Sequence, residues 1–204
     1  MKQDKETREK LIESGKAEFM EKGYNKASLR SICANVGVTT GALYFFFKDK
    51  ADLFDAIVGD TYKGLMEIIQ AHCAEDEEII ASGNYNFDMD DHSDIAQIII
   101  HHIYTNYDAA ILLLKKSQGS EYEGILDNII DVTEKHSIKV MELVLEKQDK
   151  KKKVNNYMLH LVIHIVVDAF VNLVTHEPDE SKALANIRKV FKMTMHNWAD
   201  TVLD

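Results

Sequence analysis

The stretch GVTTGALYFFFKDK, Gly37 to Lys50, sets three phenylalanines in a row beside two lysines, behind a glycine and two threonines. Successive helical residues turn by about 100°, so Phe45, Phe46 and Phe47 cannot share one face. Leu43 and Phe47 are four apart and face inward together. Phe46 lies beside that face and can pack on a neighbouring helix. Phe45 points elsewhere, with Thr40, Gly41 and Tyr44. An aromatic left on that side has a use if it meets thymine methyls or a sugar–phosphate wall in a groove. The alternative is that it folds back on its own domain.

A second set of side chains could hold a ligand. His160, His164 and Asp168 stand four apart on a strongly apolar stretch, NNYMLHLVIHIVVDAFVNLV, and make a slowly drifting polar stripe. His101 and His102 lie near Tyr104 and Tyr107. Buried polar groups need partners. The stripe therefore serves core or interface hydrogen bonds, lines an effector cavity, or ligates a metal or haem. Its spacing supplies two ligands from one helical face and nothing fixes a third. The cluster Asp88, Asp90, Asp91, His92 and Asp94 lacks the glycine and terminal glutamate of a calcium loop and is read as solvated. There is no phosphate loop, nucleophile motif, paired zinc spacing or carboxylate set of a catalytic kind. No cofactor is expected. Cys33 and Cys73 form no redox or metal pair and are read as free thiols of a reducing cytoplasm.

The elements that must position these groups are helical. In 204 residues there are one proline, Pro178, nine glycines and 46% hydrophobic residues. Long amphipathic stretches with short polar joints predict an all-α chain of about nine helices. The first spans Lys5 to Lys22 and ends at Gly23. Ser28 caps a second, Leu29 to Asn35, and Thr39 a third, Thr40 to about Phe46. Asp49 caps a fourth, Lys50 to about Asp76, with Asp52 as a capping acid. An acidic loop, 77–94, follows. Helices over 95–104, 109–117, 122–148, 155–175 and 180–202 complete the chain, with KQDKKKK as a solvated corner. No signal peptide is expected at the charged start, and no apolar run long enough to span a bilayer.

Formal net charge is −10, which at first speaks against nucleic acid. The distribution reverses that for one end. Residues 1–50 hold ten Lys/Arg against seven Asp/Glu, and the remainder 14 against 27, giving +3 and −13. A basic head on an acidic body suits a DNA-contacting protein, because only the contacting face must be positive.

Two short helices joined at Gly37 are the sequence form of a helix-turn-helix. Gly37 accepts the positive φ of the turn. Small Cys33 and Ala34 allow close crossing, and Ile32, Val36, Val38 and Leu43 anchor the core. Through Gly23, Ser28, Ile32, Gly37, Val38, Thr39, Leu43, Tyr44, Phe47, Lys50 and Leu53, the sequence resembles the TetR family of bacterial transcriptional regulators. The resemblance covers roughly residues 7–55. It implies a helix-turn-helix domain over 1–50 and a ligand-binding and dimerisation domain over 51–204. It further implies a repressor that binds a palindromic DNA operator as a homodimer and is released by a small-molecule effector. The resemblance places Thr39, Thr40 and Gly41 at the start of the recognition helix and Tyr44 and Lys50 on backbone phosphates; with Ser28, Arg30, Phe45 and Lys48 these are the candidate DNA-binding residues. Thr40 and Phe45 depart from the basic or polar residues common there, and Cys33 replaces a usual alanine. The candidate effector pocket comprises His101, His102, Tyr104, Tyr107, His160, His164 and Asp168. The candidate dimer interface comprises Val166, Phe170, Ile187, Phe191 and Trp198 of the last two helices. A helical interaction module without DNA binding, or a helical enzyme, is the alternative. No membrane partner is expected.

Overall fold

The charged start of the chain folds as helix α1, Lys2–Lys26, and Gly23 interrupts its last turns with φ 73°, a left-handed value that a side chain would resist. A computed structural model describes residues 2–82, 93–147, 152–195 and 201–204. Its described residues are all-α, with one isolated antiparallel bridge between Val154 and Leu203. After α1 come α2 (Leu29–Val36), α3 (Thr40–Leu43) and α4 (Lys50–Ser82). Then follow α5 (Ser93–Thr105), α6 (Tyr107–Ile111) and a π-helical turn, Leu112–Lys116. The last three are α7 (Ile125–Lys147), α8 (Asn156–His176) and α9 (Glu180–Met195).

The chain divides into two units, residues 1–64 with 103–125, and residues 65–102 with 126–204. The boundary falls inside α4 rather than at its start, so the first unit is larger than the head read from the sequence. In this unit Leu11, Phe19, Ile32, Leu43, Phe47, Leu53, Phe54 and Val58 are buried. Phe54 gathers an aromatic cluster, edge-on to Phe19 at 4.9 Å and to Tyr24 at 5.0 Å. Such pairs add to the burial of their area. The Tyr122 hydroxyl donates to Asp55, and its ring meets Tyr62 edge-on at 5.2 Å. Burial first, and then that hydrogen bond, push the phenol's pKa up.

In the second unit, Ile130, Met141, Leu159, Ile163 and Val202 form one apolar cluster, and Ile80, Val140 and Val144 another. The second cluster explains why α4 runs past Asp76 into residues expected to be loop. Ile80 is fully buried against α7, Glu77 pairs with Lys139 at 2.6 Å, and Lys147 caps the Ile80 and Ala81 carbonyls. The end of the chain pairs back on the segment before α8, through Asn155 N–H to Val202 O at 2.8 Å and Asp204 N–H to Lys153 O at 2.9 Å. Asp88, Asp90, Asp91 and His92 of the acidic loop, most of the KQDKKKK corner and Trp198 lie outside the described residues.

Candidate nucleic-acid interface

The head is built from local signals. The Ser28 hydroxyl accepts from Ser31 N–H at 3.4 Å and begins α2. Gly37, φ 75°, ends it, and its amide and that of Val38 close the helix on Ala34 and Cys33 carbonyls. Thr39 Oγ1 accepts from Ala42 N–H at 3.2 Å and begins α3. That helix is shorter than the sequence suggested. Phe45 and Phe46 bond back three residues, to the Ala42 and Leu43 carbonyls, which tightens the chain into a turn before α4. Asp49 caps α4 at Asp52 N–H, 2.9 Å, and Asp52 reaches back to the Lys48 amide, 2.7 Å.

These caps fix which aromatic faces outward. Leu43 and Phe47 are buried, whereas Phe45 is 78% exposed and Tyr44 56%. Phe46 is half-buried and meets Phe45 edge-on at 5.0 Å. Phe45 therefore does not fold into the core. Thr39, Thr40, Gly41 and Lys48 are exposed with it, as are Ser28 and Arg30. The head thus exposes hydroxyls, a phenol, an aromatic ring and cations on α2, α3 and the turn after α3. That combination can bond phosphate oxygens and touch base edges or methyls.

Lys50, expected on a phosphate, is engaged elsewhere in the chain. Its ammonium donates to Tyr24 O at 2.8 Å, Asn25 O at 3.3 Å and Ala27 O at 3.5 Å, over the Tyr24 ring at 4.5 Å. It ties the start of α4 to the end of α1 where Gly23 has broken the helix. A lysine at a helix end, 26 residues from its partner, gives no such signal in sequence.

Glu18 was also missed. It is buried, takes Lys22 at 2.8 Å and accepts from Ser28 N–H at 3.1 Å, so it helps begin α2. Burial opposes its charge, yet the bonds from Lys22 and Ser28 hold its carboxyl below the usual range. A depressed carboxylate stabilises above its unfolded pKa and loses that contribution as pH falls through the folded value. Glu18→Ala is expected to destabilise the head by about 1.5–3 kcal/mol at pH 7, the scale for charged hydrogen bonds. Melting curves should converge with those of the unsubstituted chain under acid conditions. Equal melting at pH 7 would rule this out.

The groups proposed for a ligand fall in both units, and each set is described within its own unit. Tyr104 and Tyr107, rings 5.2 Å apart, line a cleft of about 430 Å³ within the first unit, with Ile12, Lys16, Asp60 and Asp108. Lys16 bridges Glu13 and Asp108 there, each at 3.6 Å. In the second unit, exposed His101 bonds Glu180 at 3.0 Å, and His102 is half-buried. His160 is exposed, bonds Glu134 at 2.9 Å and lies 4.3 Å from His164. His164 is half-buried and Asp168 exposed. None of these histidines is among the cleft's lining residues.

Helix α8 is 21 residues long and, by length and composition, the one helix among the described residues long and apolar enough to cross a membrane. Leu159, Ile163, Val171 and Val174 are buried on one side. The other side leaves Tyr157, Leu161 and Ile165 exposed at four-residue spacing. Of the expected interface residues, Val166, Phe170 and Phe191 are half-buried. Ile187 is a correction: it is fully buried in its own chain and so cannot meet a partner.

Residues 11–57 match the family model of bacterial regulatory proteins, tetR family. Over 54 residues the chain is 44% identical to the HTH-type transcriptional repressor BepR of Brucella suis biovar 1 (strain 1330), covering 26% of this chain and 26% of that protein. The match thus spans about a quarter of that curated relative's length. A crystal structure of a transcriptional regulator from Aquifex aeolicus VF5 superposes with a TM-score of 0.56 at 19% identity, covering 92% of this chain and 98% of the other. The regulator FadR from Bacillus subtilis, in complex with stearoyl-CoA, gives 0.57 at 15% identity, covering 92% and 97%. At such identities the likeness concerns the fold.

Proposed function

We propose that this chain, whose residues 11–57 match the tetR family model of bacterial regulatory proteins, is a repressor of that family, binding a palindromic operator as a homodimer and released by a small-molecule effector. The observation that carries the reading is the outward face of α3. Thr40 at its start, and Tyr44 and Phe45 in the turn that follows it, are exposed, whereas the inner residues of the helix-turn-helix, Ile32, Leu43 and Phe47, are buried. An exposed face on a short helix capped at Thr39 suits entry into a major groove roughly 12 Å wide. Tyr44 and Lys48 serve phosphates, and Thr40 and Phe45 serve the groove. Lys50 contributes by holding the end of α1 against α4.

The homodimer is supported by α8. Its exposed row of Tyr157, Leu161 and Ile165 is a continuous apolar stripe, and a second copy of the same helix is its simplest cover. Tyr104 and Tyr107 remain the effector candidates, because they line a cleft against α1 and α4. An effector there acts only by binding the non-operator conformation more tightly.

Operator selection from random duplexes, followed by a salt series, tests the reading. Binding should weaken steeply with salt as counterions are released, and a protein without phosphate contacts would show no slope. Phe45→Ala should leave the melting temperature unchanged, since the ring is mostly exposed, but alter the selected sequence. An unchanged selection would remove Phe45 from base readout.

A further inference from the structure

The cleft of the first unit is lined by residues of α1, α4, the end of α5 and α6. Its volume, about 430 Å³, falls within the usual span of small-molecule sites, roughly 300–1,000 Å³. Glu13, Asp60 and Asp108 bring three carboxylates to its wall, and Lys16 is the one cationic side chain in the lining. Lys16 stands 3.6 Å from both Glu13 and Asp108, and so links α1 to α6 at the cleft. Three carboxylates against one ammonium leave two negative charges in excess. Tyr104 and Tyr107 are half-buried, with rings 5.2 Å apart and 35° from parallel. Ile12 and Ile57 add apolar wall beside them.

Building on the reading of this cleft as the effector site, we propose that its ligand is an organic cation, a positive centre carried on an apolar body. Charge sets the sign. Opposite charges attract most where protein walls displace water, and an anion entering here would meet the same carboxylates as repulsion. The rings act in the same direction, because the face of a tyrosine attracts a cation within about 6 Å of its centre. The apolar wall favours a ligand with a hydrocarbon body over a small hydrated ion. Among the described residues no three His, Cys, Asp or Glu side chains converge in a way that could hold a metal ion. The carboxylates of the cleft are therefore spread around its wall, which suits a large cation of diffuse charge.

Lys16 holds the place of that charge in the free chain. Its ammonium is the counterion of Asp108, and a ligand cation competes with it for the same carboxylate. The exchange costs little. The Asp108 side chain is 57% exposed, and ion pairs open to solvent contribute little to stability. Lys16 thus weakens the binding of every cation and softens the repulsion of every anion. A cleft that selected ligands by apolar surface alone would not respond to the charge at position 16.

The test compares tetraphenylphosphonium with tetraphenylborate, two ions of like size and shape and opposite charge. Each is titrated into the full chain without DNA, and the NMR signals of labelled Tyr104 and Tyr107 report binding at the cleft. The cation is expected to bind at least about tenfold tighter than the anion at low salt, and the preference should shrink as salt is added. Asp60→Asn, a change at an exposed side chain, should weaken the cation by about three- to tenfold with the melting temperature unchanged. Lys16→Gln should tighten the cation by a similar factor and weaken the anion. Absence of cation binding, or an anion bound as tightly, would overturn the proposal. So would a cation affinity that neither substitution moves. Release of the selected operator is measured separately. Cation binding without release would support the ligand class and remove only the effector role of the cleft. Release by neutral or anionic compounds alone would keep that role and overturn the ligand class.

Discussion

Asp76→Asn is expected to lower the stability of the second unit by roughly 3 kcal/mol near pH 6, and by much less above pH 9. Burial alone would lower the His136 pKa, but its partners, the Asp76 bond foremost, raise it from 6.5 to about 9, and at about 1.4 kcal/mol per unit that rise bounds the effect. Both side chains are only 12% exposed, so solvent screens the pair little. The sign follows from linkage. A histidine whose folded pKa is raised contributes fully below its unfolded value, about 6.5, and loses that contribution as pH rises through about 9. Asparagine keeps the shape and can still accept a hydrogen bond, but it cannot balance the imidazolium. Breaking a buried pair from one side leaves the other charge uncompensated. Urea unfolding at pH 6, 7.5 and 9.5 should show the gap between the two proteins closing with pH. A gap that stays constant would mean that the carboxylate acts by packing alone.

Ile165→Asp is expected to weaken the proposed homodimer by at least about 100-fold, equivalent to about 2.7 kcal/mol. Ile165 is 47% exposed in the single chain, in line with Tyr157 at 72% and Leu161 at 40%. In a seam formed by two copies of α8, a twofold axis brings each substitution in twice. Two carboxylates would then enter an apolar interface, each losing hydration without a partner. In the free chain the same residue faces solvent, so folding should be little affected. Sedimentation across a concentration series measures the change without DNA. Operator affinity should fall with it, because two half-sites are then no longer held by one particle. An unaltered dimer constant would assign the stripe to something other than self-association.

Much of the head was legible because its determinants are local. Ser28, Thr39 and Asp49 cap within three residues of themselves, and Gly23 and Gly37 take positive φ where a helix must stop. The Leu43–Phe47 pair and the outward Phe45 follow from helical angle alone. The body was legible only as a layout. Helix α8 is apolar on nearly every side, so periodicity could not say which side its own chain would cover. The histidine stripe was open to several readings for the same reason, and the structure adds that His160 is exposed and paired with Glu134.

The sequence by itself determined the helical class, the turn, the caps and the split between a basic head and an acidic body. Each depends on neighbours within a turn or two, or on composition, and both are read directly from the order of residues. Tertiary structure alone decided that Lys50 holds carbonyls 23 to 26 residues away, and that Ile187 is core. It also decided that Tyr104 and Tyr107 share a cleft with α1, and that Asp76 meets His136 across 60 residues. Those pairings are set by how helices pack, and packing is chosen by the total apolar area buried, which no single stretch of sequence contains.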